Sequence, residues 1–107
     1  MFKINGVSWR IYLVSSTHPI LLDNNNSFAL GVCDKKTQGI YISNSLNDYL
    51  FKKVLCHEIV HAAMFSYNVI LTDNEEELVA WIIASYGAEI IETTNSIFYK
   101  IKNKGLT

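Results

Sequence analysis

Apolar and polar residues alternate near the start of the chain and recur every three or four residues along its second half. Val7, Trp9, Ile11 and Leu13 alternate with Ser8, Arg10, Tyr12 and Val14. A period of two belongs to a strand with one buried face, so Val7–Val14 is predicted as a strand, with a shorter one at Phe2–Ile4. Asn5-Gly6 between them marks a hairpin turn, because both residues accept a positive φ. Residues 18–22 read as a short helical turn and residues 23–26 as a loop. Two more strands are expected at residues 28–33 and Gly39–Ser43, joined by a polar hairpin connection at residues 34–38.

From residue 46 the pattern becomes helical. Leu50, Val54, Leu55, Ile59, Val60, Met64 and Phe65 surround most of a predicted helix over residues 46–67, capped by Asn44 or Ser45, with Asp48 complementing the cap. A helix apolar on nearly all sides is a central one. Thr72 and Glu75 have capping-box spacing and open a second predicted helix over residues 73–92. Thr93-Thr94-Asn95 is expected to break it before a third helix, residues 93–102. Strands followed by helices give an α+β fold. The expectation is one domain, residues 1–107, with a small antiparallel sheet of three to four strands packed on the first long helix, plus a second helix and a C-terminal one.

Composition narrows the function. The chain has 107 residues, half of them hydrophobic and 18% charged, which suits one domain with a real core. A formal net charge of −1 offers no basic surface for nucleic acid. No apolar run reaches the roughly 18 residues of a membrane span, and no leader pattern is evident, so a soluble, cytoplasmic protein is expected. Cys33 and Cys56 read as two separate buried thiols, without a CxxC pair.

The chemistry lies in Cys56-His57-Glu58-Ile59-Val60-His61, an HExxH pattern on a helix. Residues four apart lie one above the other, about 6 Å along the axis, so two imidazoles there can converge on one tetrahedral ion at about 2.0–2.1 Å. Glu58 projects beside them, placed to take a proton from a water without ligating the metal. The plain alternative is a pair of core histidines satisfied by hydrogen bonds. Chance produces the pattern on the order of a few times in a thousand chains of this length, and polar groups in an apolar helix are expensive unless paired, so the metal reading is preferred.

A catalytic zinc takes three protein ligands and keeps one open position. Only three histidines occur and none follows His61, so the third ligand is a downstream carboxylate, His18 or a cysteine. Cys56 points about 100° away from His57 around the helix. Glu75-Glu76-Glu77 opens the second helix, which a short loop folds back against the first. Glu76 shares a face with Val79, Ile82 and Ile83 and is expected inward. Glu75 is the close competitor, and Glu77, aligned with Trp81 and Ala84, is third. At least two of the three serve only as an acidic first turn.

Residues 55–62 and 74–79 together resemble the small phage- and prophage-type HExxH zinc metallopeptidases, and more distantly the ImmA/IrrE-like peptidases and other gluzincins. The resemblance covers most of the chain. It implies a zincin-like fold, a Zn2+ ion held by His57, His61 and, by its place three residues before Val79, Glu76, with Glu58 as the catalytic base. It also implies an edge strand, Gly39–Ser43, able to align an extended peptide by β-addition. Tyr67, Tyr86, Tyr99 and His18 are candidate oxyanion donors, none assigned. The expected function is a zinc-dependent, narrow-specificity endopeptidase acting on a peptide or protein substrate. The alternative is a non-catalytic zinc-binding interaction module, and a third reading is an amidase using the same zinc chemistry. The oligomeric state is left open.

Overall fold

The computed structural model describes residues 1–104. Four strands come first: β1 (Phe2–Ile4), β2 (Val7–Val14), β3 (Gly31–Asp34) and β4 (Gly39–Ser43), with a single 3-10 turn, Pro19–Leu21, between β2 and β3. Two helices follow, α1 (Asp48–Ser66) and α2 (Asp73–Lys104). The α+β class is as expected. No described helix is long and apolar enough to cross a membrane.

The sheet has the order β1-β2-β4-β3 and is mixed, which corrects the antiparallel expectation. β1 and β2 form the antiparallel hairpin that Asn5-Gly6 announced, with positive φ at both residues. β3 and β4 are also antiparallel. β4, however, runs parallel to β2, in the register Arg10↔Gly39 to Val14↔Ser43. Residues 15–38 carry the chain across and turn it once more through β3, so β4 enters the sheet between β2 and β3. Side-chain alternation specifies which face is buried and says nothing of strand direction. β3 is also shorter than predicted, beginning at Gly31 rather than residue 28.

The core gathers on one face of the sheet, where Trp9, Ile40, Ile42 and Ala62 are fully buried. Ile11 and Leu13 share this face with their register partners Ile40 and Ile42, yet 38% and 60% of their surfaces stay exposed. Cover therefore stops short of the far half of β2, and the predicted buried face holds at Trp9 and at the half-buried Val7. Trp9 instead pins the end of α1. Its indole N–H donates to Ser66 Oγ at 2.9 Å, Ser66 donates to the Ala62 carbonyl at 2.7 Å, and the ring meets Phe65 edge-on.

α1 is capped by Asn47, whose side chain accepts the Leu50 N–H at 2.8 Å, rather than by Asn44 or Ser45. It ends at Tyr67, and Asn68 takes a left-handed φ of 55° that turns the chain. The capping box forms as expected, with Thr72 N–H donating to Glu75 and Glu75 N–H donating to Thr72 Oγ1. α2 then runs unbroken to Lys104, so the third helix expected over residues 93–102 is part of α2. Threonine and asparagine cost a helix only a few tenths of a kcal/mol each, and Thr94 turns its hydroxyl back onto the Ile90 carbonyl at 2.7 Å.

Candidate metal centre

α1 and α2 meet where His57, Glu58 and His61 of one helix face Glu76 and Glu77 of the other. The four-residue spacing on α1 works as anticipated: His57 Nε2 and His61 Nε2 lie 3.3 Å apart. Glu77 closes the group, one carboxylate oxygen 2.7 Å from His61 Nε2 and the other 3.2 Å from His57 Nε2. The ligand-capable atoms of His57, His61 and Glu77 all lie within 4.8 Å of one another.

Glu76, expected as the third member of this set, sits on the other side of the ring. Its carboxylate is 2.7 Å from His61 Nδ1, and Lys35 Nζ is 3.7 Å from the same oxygen. The inward prediction for Glu76 was correct in burial and different in partner. Glu76 is buried between the helices, and one residue on, about 100° around α2, Glu77 reaches the cleft and the Nε2 atoms. The helical face formed by Glu77, Trp81 and Ala84 lines this cleft, so the alignment that places Glu77 third in the sequence is the one that reaches it. Glu75, the competitor, is committed to the capping box, whose hydrogen bonds from Thr72 lower its pKa.

Glu58 is buried against β3. Burial pushes its pKa up to about 7; the His61 ring counteracts this, Glu77 adds to it, and the Cys33 backbone N–H, donating to the carboxylate, again counteracts it. Gly31 makes this approach possible: a Cβ there would stand 2.7 Å from Val54 Cγ1 and 3.2 Å from Glu58 Cγ. His57 is held below its ordinary pKa, chiefly by burial, so its imidazole is kept in the neutral form a ligand needs. Trp81 packs edge-on to His57, with Lys53 Nζ 4.8 Å over its ring.

These groups line an open cleft of about 570 Å³ bounded by β3, α1 and the start of α2. Lys35, which sequence reasoning left in a hairpin connection, is one of its walls. The other expected candidates lie elsewhere. His18 accepts the Ile20 N–H in the 3-10 turn, and neither it nor Tyr67, Tyr86 or Tyr99 lines the cleft. Burial pushes the Cys33 thiol, beside Glu58, up to about 12, which keeps it protonated.

The donor set suits a zinc ion on two grounds. Two imidazole nitrogens and one carboxylate are the His2Glu set of catalytic zinc sites. Two ligands of a tetrahedral ion at about 2.0–2.1 Å stand roughly 3.3–3.4 Å apart, the separation already held by the two Nε2 atoms. Glu76 on His61 Nδ1 stands where an outer carboxylate stands in such sites, on the ring nitrogen away from the Nε2 pair. No protein family, curated protein or solved structure was found to match the chain.

Proposed function

We propose that this chain is a zinc-dependent peptidase, an endopeptidase of narrow specificity, with His57, His61 and Glu77 as the ligands of the ion and Glu58 as the general base. The observation that carries the reading is the convergence of three metal-capable side chains from two helices beside a buried carboxylate in an open cleft. When bound, zinc supplies a lowered pKa for a water and polarisation of the scissile carbonyl.

The chain's own residues do the rest. Glu58, with a pKa near 7, takes a proton from the attacking water and returns it to the departing amine. Glu76 holds His61 in the tautomer with Nδ1–H directed at its carboxylate. The free edge of β3 runs along the cleft, since β3 pairs only with β4, and it is the place where an extended peptide adds to the sheet. Gly39–Ser43, the edge strand suggested by the resemblance, is β4 and lies inside the sheet. An interaction module with a structural ion has no use for a buried acid facing the same cleft, which favours catalysis over that alternative.

The test is a comparison of wild type with Glu58→Gln. Both are expected to bind one zinc per chain, and only wild type is expected to cleave an unfolded protein or peptide library. A chain that binds no zinc, or a Glu58→Gln variant as active as wild type, would sink the proposal.

A further inference from the structure

Beyond Gly87 the long helix runs without cover. Every described residue of α2 from Ala88 to Lys104 is exposed, an overhang of about 25 Å. Yet this stretch is not a solvated one in composition. Ile83, Tyr86, Ile90, Thr94, Ile97 and Ile101 recur at spacings of three and four, forming one stripe down the helix. The stripe's polar member, Thr94, has its hydroxyl bonded to the Ile90 carbonyl, which leaves its methyl outward. Helices in proteins owe most of their stability to a covered apolar face rather than to propensity.

We infer that the covering surface is the same stripe of a second copy, packed antiparallel about a two-fold axis between Thr93 and Thr94. Three observations point to this occupant and this direction. The stripe is nearly palindromic about that point: Ile90 meets the partner's Ile97, and Tyr86 meets the partner's Ile101. The charges agree as well. Glu89 and Lys100 are about three turns apart and so share one flank of the stripe. Antiparallel packing brings like flanks together, which sets Glu89 close to the partner's Lys100 twice in the dimer, whereas a parallel pair gathers the acidic starts and the basic ends of the two helices.

The area is also sufficient. The five large stripe residues, with Ile91 and Phe98 beside them, are each 37–62% exposed. At roughly 100 Å² apiece they offer about 700 Å² per chain, close to the ~800 Å² per partner of a standard interface.

The test is sedimentation of the full chain at about 100 µM, well above the dissociation constant of a micromolar dimer. Wild type is expected at twice the mass of the chain, and Ile90→Lys/Ile97→Lys at the mass of one, with Trp9 fluorescence in a Trp81→Phe background showing that the sheet and α1 remain folded. Glu89→Lys alone and Lys100→Glu alone are each expected to weaken dimerisation roughly tenfold, and Glu89→Lys/Lys100→Glu to restore it. A monomeric wild type overturns the inference, as does a dimer indifferent to Ile90→Lys/Ile97→Lys. Single charge reversals without effect, or a double reversal that restores nothing, overturn the antiparallel register. Binding of a monomer to vesicles of phosphatidylcholine and phosphatidylserine overturns it in favour of a lipid surface.

Discussion

Glu76 and His61 are joined at 2.7 Å through Nδ1, the ring nitrogen that faces away from His57 and Glu77. The two neighbouring glutamates therefore serve one imidazole from opposite sides, and their substitution separates the two roles.

Glu77→Gln is expected to lower zinc affinity by several orders of magnitude, as loss of a ligand does. Glu76→Gln is expected to lower it by about 10- to 100-fold, as loss of an orienting carboxylate does. Competition with a zinc chelator measures both. A larger loss in Glu76→Gln than in Glu77→Gln reverses the assignment.

The raised pKa of Glu58 gives the metal-free protein a pH signature. The folded value, about 7, lies above the ordinary 4.5, so the folded state binds the proton more tightly than the unfolded one. The associated stability is complete below about pH 4.5 and is lost as pH rises to 7. His57, shifted the opposite way, offsets part of this in wild type, and Glu58→Gln isolates the effect because both proteins keep the histidine. With a chelator present, urea unfolding of the two proteins is expected to show wild type losing up to about 3 kcal/mol relative to Glu58→Gln between about pH 4.5 and 7. A difference that stays flat across that window refutes the buried, protonatable carboxylate.

Gly31→Ala tests the approach of α1 to β3. The added Cβ meets Val54 Cγ1 at 2.7 Å and Glu58 Cγ at 3.2 Å, so overpacking is expected to cost about 1–3 kcal/mol and to displace the proposed base. Thermal unfolding and peptidase activity are expected to fall together, and a Gly31→Ala variant as stable as wild type contradicts the packing.

Ser66→Ala leaves the buried indole N–H of Trp9 without its acceptor. The expected loss is about 1–3 kcal/mol in a denaturant titration. Trp9→Phe in the Ser66→Ala background is expected to cost less than the two changes taken separately, because the residues are coupled.

Local chemistry was legible in the sequence where it depends on neighbours along the chain. His57 and His61 are one turn apart on any helix, Thr72 and Glu75 cap whatever follows them, and Asn5-Gly6 turns the chain wherever it stands. Relations between elements were not. The choice between Glu76 and Glu77 depends on the rotation of α2 against α1, and a change of about 100° in that angle exchanges them. The parallel run of β4 beside β2 rests on a crossover of residues 15–38, which alternation of side chains does not record. Thr93-Thr94-Asn95 does not break α2, because weak helix propensity weakens a helix without stopping it.

The junction between the helices has a consequence for how the molecule breathes. α1 is stitched to the sheet through Trp9, Ser66 and Asn5, while α2 is held chiefly by α1, where Ala80 packs with Val60 and Met64 and Glu76 meets His61. The strands with α1 thus make one cooperative unit, and α2 detaches from it by opening this second cluster, a step that leaves that unit in place. An ion gripped by both helices acts as a rivet across this joint, so its release would be felt first as rapid amide exchange along α2, with the backbone of β4 and α1 still protected.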